Sequence, residues 1–141
     1  MTVDSFLCQY RILLRRIEER TARLKRMNAQ LDSITSVWGE HLSAHTTDAP
    51  YVHLIERMET IREELRADEN LLPYLQEQVM DLIYSVPGEK MVQVLVHRYL
   101  DGLTYRKIGD LMYMDGATAK RWQTRALALL SVPENPVLIG D

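Results

Sequence analysis

Apolar residues recur along the first part of the chain at alternating steps of three and four: Phe6, Tyr10, Leu13, Ile17, Leu24, Met27, Leu31 and Ile34, interrupted only by Arg20. This period predicts a helix with one apolar face, not a half-buried strand, which would alternate at every second residue. Neither Pro nor Gly occurs before Gly39. The arm therefore spans about 30 residues, roughly 45 Å of helix, and needs another long helix beside it. A second stripe of similar reach follows at Tyr51, Ile55, Met58, Ile61, Leu65, Leu72, Leu75, Val79, Leu82 and Val86. Between the stripes, residues 36–51 carry Gly39, Pro50 and a cluster of Ser, Thr and Asp, so they read as a connection. Thr47 or Asp48 would cap the second helix, with Pro50 in its first turn. The result is a long antiparallel, coiled-coil-like helical hairpin. Pro73 removes a backbone donor inside the second stripe, which predicts a kink or a restart; the stripe continues across it and favours the kink. Leu7 and Leu14 on the first arm and Leu54 and Ile83 on the second widen the apolar faces beyond a two-helix seam. That excess predicts a homodimer or higher homo-oligomer.

At Val86-Pro87-Gly88 the helical period breaks, and the expected organisation follows from that point. Residues 1–86 form the hairpin, for oligomerisation or partner binding; residues 87–132 form a second domain; residues 133–141 form a tail packed loosely through Val137, Leu138 and Ile139. The second domain divides into three helices, so the fold class is all-α. The first runs from about Glu89 to Leu100 and ends at Asp101-Gly102. The second is capped by Thr104 and places Ile108, Leu111 and Met112 on one face. The third is capped by Asp115, turning Ala119, Trp122, Ala126 and Leu129 inward and Thr118, Arg121, Thr124 and Arg125 outward. Two helices joined by a tight turn, the second with basic and hydroxyl side chains outward, are what a helix-turn-helix requires.

Charge sharpens this division. The 141 residues carry a formal charge of −3, but the net is +3 over 1–36, −7 over 37–88, +3 over 89–130 and −2 in the remaining tail. The basic face of the first arm (Arg11, Arg15, Arg16, Arg23) should pair with the acidic face of the second (Glu56, Glu59, Glu63, Glu64, Glu69, Glu77), while the basic C-terminal segment is left for a polyanion. Cys8 is the single cysteine, so neither an intramolecular disulfide nor a zinc site is expected, and a reducing, cytoplasmic setting is. No apolar run is long enough for a membrane helix and the N-terminus has no cleavage-site pattern. His41 and His45 stand four apart without a third ligand, so no metal is expected. No Gly-rich phosphate loop, activated nucleophile or paired carboxylate is found, so no cofactor and no enzymatic activity are expected.

The segment RYLDGLTYRKIGDLMYMDGATAKRWQTRALALL, residues 98–130, resembles region 4 of sigma-70-type transcription factors. The positions that carry the likeness are Arg98, Tyr99, Leu100, Gly102, Leu103, Thr104, Tyr105, Ile108, Thr118, Lys120, Arg121, Arg125, Ala126 and Leu127. A hairpin containing Ile34-Thr35-Ser36 ahead of such a segment is further similar to small phage and prophage late-transcription regulators. The resemblance implies a sequence-specific double-stranded DNA-binding transcription regulator, acting with bacterial RNA polymerase near the nucleoid of a bacterial host. It implies a DNA-binding set of Thr104, Tyr105, Arg106, Lys107, Gly116, Ala117, Thr118, Lys120, Arg121, Gln123, Thr124 and Arg125. Within that set, Arg106 and Lys107 replace a usual acidic pair and suit phosphate; Gly116 and Ala117 offer little base readout; Thr118, Arg121 and Gln123 or Thr124 would read bases. Tyr113 stands where the family usually has Gly, which predicts a turn opened or shifted by one residue. Ala119 replaces Val and leaves room for the bulkier Trp122. Two alternatives stay open: a DNA-recognition subunit of a packaging terminase, and a polymerase-binding adaptor without DNA function.

Overall fold

The computed structural model describes residues 1–38 and 50–140. The predicted connection, with His41, His45 and the caps Thr47 and Asp48, lies outside the described residues. Within them the chain is helical and holds no strand: α1 (Val3–Trp38), α2 (Pro50–Tyr84), α3 (Glu89–Leu95), a π-helical segment (Val96–Leu100), α4 (Tyr105–Met112) and α5 (Gly116–Ala128). No described helix is long and apolar enough to cross a membrane. Thr2 caps α1, its hydroxyl oxygen accepting from Ser5 N at 3.1 Å. Pro50 opens α2, where its missing N–H costs nothing. The helix runs on through Pro73 without restarting.

The long helices contribute to two compact units, Met1–Leu14 with Leu71–Asp141, and Arg15–Asn70. The border expected after Val86 therefore falls inside the first unit. Bonds from α1 to the later segments account for this: Tyr99 Oη donates to Asp4 Oδ1 at 2.5 Å and Arg11 Nη1 donates to the Leu100 carbonyl at 3.5 Å. The core of this unit includes Phe6, Leu7 and Leu13, together with Leu75, Val79 and Ile83, and Val94, Leu95, Tyr99, Ile108, Ala119 and Ala126. Leu7 and Ile83 are fully buried, so these two positions leave no excess surface for a second copy to cover. The tail is held to this unit too, with Val137 N donating to Gln78 Oε1 at 2.7 Å.

In the second unit the helices run antiparallel, because partners on α2 fall in number as those on α1 rise. Arg16 grips Asp68 with two bonds, Nη2 to Oδ1 at 2.8 Å and Nε to Oδ2 at 3.3 Å. Arg20 donates to the same carboxylate and reaches Glu64 at 3.3 Å. Arg20, an interruption in the apolar stripe, is thus half of a charged pair that straddles a buried Asp68. Among the described residues of this unit only Met58 and Asp68 are buried; Leu24, Met27, Leu31, Leu54, Ile61 and Leu65 are half-buried.

One departure shapes the C-terminal helices, and the glycine stop expected at Asp101-Gly102 forms. The helix predicted over 89–100 changes to π geometry at Val96, and Asp101 N bonds to the Val96 carbonyl at 3.0 Å. Gly102 then turns the chain at φ +71°, and a Cβ there would lie 2.6 Å from Arg11 Nε. The glycine therefore serves both the left-handed turn and the seat of a guanidinium at a helix C-terminus, where positive charge is favourable.

Candidate nucleic-acid interface

Both predicted caps form. The Thr104 hydroxyl accepts from Lys107 N at 3.3 Å and opens α4; the Asp115 carboxylate accepts from Thr118 N at 2.7 Å and opens α5. Those bonds from Thr118, with Arg121 adding positive charge nearby, hold the Asp115 carboxyl below its ordinary range. Between the helices Tyr113 adopts φ 57°, ψ 47°, the left-handed cap, with its side chain 97% exposed. The turn is therefore neither opened nor shifted: tyrosine occupies the conformation that glycine usually takes. Met114 N bonds to the Gly109 carbonyl at 2.9 Å across this turn. Gly109 makes the close approach possible, since a Cβ on it would fall 2.3 Å from the Met114 carbonyl oxygen. Nothing in the apolar periodicity marks the position.

Val94, Ile108 and Ala119 form the core joining α3, α4 and α5, with Leu103, Met112, Met114 and Trp122 packed around it. Trp122 fills space beside the small Ala119 and remains half-buried, with the Arg125 guanidinium 5.6 Å from its ring centre. Thr118, Arg121, Trp122 and Arg125 line a shallow depression on α5. Arg121 Nη2 donates to the Thr118 hydroxyl at 3.2 Å, which orients the guanidinium along the helix toward its N-terminus.

The predicted site residues separate into an outward set and one inward exception. Thr104, Arg106, Lys107, Ala117, Lys120, Arg121, Thr124 and Arg125 are exposed; Tyr105, Gly116 and Thr118 are half-buried. The N-terminal turns of α4 and α5 meet, since a Cβ on Gly116 would lie 3.4 Å from Arg106 N. This brings Thr104 to Lys107 beside the start of α5. Arg98 lies 4.3 Å from the centre of the Tyr105 ring and Lys120 lies 5.9 Å from it, so both join Arg106 and Lys107 in the cluster. Arg98 was absent from the expected site; its match to the family pattern was the available signal. Gln123 is the correction. It is buried, and its Nε2 donates to Tyr99 Oη at 2.7 Å. The side chain therefore faces the core and cannot read a base. Its Oε1 has no partner. Burial and the bond to Asp4 push the Tyr99 hydroxyl well above its ordinary pKa, which keeps it a neutral donor.

No family model, curated protein or solved structure matches the chain. The chemistry of the surface therefore carries the functional argument. Exposed cations, two capped helix starts and a pinned arginine suit a phosphate backbone and base edges. No described group of three or more His, Cys, Asp or Glu side chains is arranged to hold a metal, and burial and the nearby Asp4 raise the pKa of the Cys8 thiol, the opposite of what a reactive thiolate requires.

Proposed function

We propose that the chain is a sequence-specific double-stranded DNA-binding regulator of transcription, of the sigma-like phage or prophage type. In this reading α4 and α5 act as a helix-turn-helix, with α5 as the recognition helix. The observation that carries it is the division of α5 into a buried face (Ala119, Gln123, Ala126) and an exposed one (Ala117, Lys120, Arg121, Thr124, Arg125). Arg121 is the base reader, since a guanidinium can bond guanine in two places at once; Arg106 and Lys107 grip phosphate beside the start of α4. A homodimer would give two recognition helices a fixed spacing. Support for it now rests on the half-buried stripe of Arg15–Asn70, because Leu7 and Ile83 are covered within their own unit.

Contact with RNA polymerase is a second reading of the same molecule. It is favoured by a groove lined by Val92, Val96, Leu111, Met112, Tyr84 and Tyr113, of which Tyr84, Leu111 and Tyr113 are largely exposed apolar residues.

Titration of duplex DNA with the full chain tests the DNA reading. Arg121→Ala is expected to cost about 1 to 3 kcal/mol on a selected site and relax preference there. Arg106→Ala and Lys107→Ala should weaken every duplex and flatten the salt dependence. Equal loss on selected and random DNA for Arg121→Ala would remove that residue as a base reader.

A further inference from the structure

The C-terminal tail is clamped by two glutamines in the compact unit Met1–Leu14 with Leu71–Asp141. Gln78 Nε2 donates to the Asn135 carbonyl at 2.9 Å and its Oε1 accepts from Val137 N at 2.7 Å. Gln9 Nε2 donates to the Val137 carbonyl at 2.9 Å and its Oε1 accepts from Ile139 N at 3.1 Å. Each carboxamide thus pairs with one N–H and one C=O of the tail, as a neighbouring strand would. Val137 and Ile139 are half-buried while Leu138 between them is 58% exposed, the alternation of an extended peptide. Main-chain pairing for affinity and alternate side chains for selectivity are the features of a peptide-recognition groove.

We propose that the Gln9 and Gln78 clamp is an exchangeable peptide-docking site, and that its occupant in trans is the tail of a second copy of this chain. A second copy offers the same backbone groups and the same Val137 and Ile139 side chains, so whatever fits in cis also fits in trans. The tail leaves α5 through a short link containing Pro133, none of residues 131–140 is fully buried, and none belongs to the Val94, Ile108 and Ala119 core. It can therefore open without disrupting the α3 to α5 core. Exchange links two chains through Gln9 on α1 and Gln78 on α2. The site is independent of the DNA reading and of the Arg15–Asn70 stripe.

Two complementary full-length variants test the exchange. One carries Gln9→Ala and Gln78→Ala with a fluorophore at its C-terminus; the other carries Val137→Asp and Ile139→Asp with its clamp intact. Titrating the second into the first should raise the anisotropy of the labelled tail, and adding Gln9→Ala and Gln78→Ala to the second should weaken that association by about tenfold or more. No rise with two helical variants, or an equal rise with and without the glutamines, would overturn the proposal. If the Asp variant loses its helical circular dichroism, hydrogen exchange on the unaltered chain decides. Val137 and Ile139 amides exchanging about a hundredfold faster than Ile108 means that the strap opens alone; equal rates mean that it leaves only on global unfolding and contradict exchange.

Discussion

Tyr113 holds a backbone conformation that costs an L-residue roughly 1 to 2 kcal/mol, and its exposed ring recovers little of that by packing. Glycine would remove the cost while losing roughly 0.5 to 1 kcal/mol through its freer unfolded chain. Tyr113→Gly should therefore raise stability by about 0.5 to 1 kcal/mol, read from the shift in denaturation midpoint; no change or a loss would mean that the ring makes a contact worth the strain. Gly109 presents the opposite case. A methyl group there meets the backbone carbonyl of Met114, which cannot rotate aside as a flexible side chain could. Gly109→Ala should cost about 1 to 3 kcal/mol, as overpacking does, and unchanged stability in urea would show that the turn relaxes freely. Tyr113 stood out in the sequence because glycine was expected there. Gly109 did not, because its role depends on a carbonyl five residues away across a turn.

Among the elements, α5 owes its start to Asp115. The bonds from Thr118 lower the carboxyl pKa in the folded chain, so the unfolded chain binds the proton more tightly. The stabilisation is therefore present above the ordinary Asp range, around pH 4, and is lost as pH falls through the lower folded value. Thermal unfolding of the full chain and of Asp115→Ala should differ at about pH 6 and converge toward about pH 2, on either side of the ordinary Asp range; a constant gap would assign the effect to packing. The pairing of α1 with α2 in Arg15–Asn70 depends on a different carboxylate. Asp68 is 4% exposed and bonded to two arginines, so Asp68→Asn leaves positive charge facing a buried neutral amide. The expected loss is about 2 to 3 kcal/mol, at the lower end for a broken buried pair because both arginines reach solvent. Glu63→Gln, at an exposed position, should stay within roughly 0.5 kcal/mol; similar losses for the two variants would contradict the assignment. Periodicity located both long helices and the caps located α4 and α5, since these are local signals. The Arg16–Asp68–Arg20 cluster was hidden: Arg20 looked like a break in the stripe, and a buried acid on the facing helix is visible only once the register is known.

For the whole molecule, the chain order of the domains was the hardest feature to read. Pro87-Gly88 is a real break in the helix, yet helices on either side of it share a compact unit with residues 1–14 and the tail. Long-range partners such as Tyr99 with Asp4, or Gln9 with Val137, leave no periodic trace in the sequence. Most of the outward α5 face was legible because Ala119, Trp122 and Ala126 recur at steps of three and four on a capped helix, which leaves Arg121, Thr124 and Arg125 outside; Leu129, expected inward with them, is exposed just past the end of the helix. Gln123 was misplaced because a polar residue normally faces out, whereas here Tyr99 supplies an inward partner. The central claim is that this face reads duplex DNA by sequence. Its most direct test is selection of binding sites from a random duplex library by the full chain, beside the Arg121→Ala variant. The account predicts a defined enriched motif whose information falls at one or two adjacent positions when Arg121 is removed. Recovery of no motif by the unaltered chain, or of the same motif at undiminished information by the variant, would contradict it.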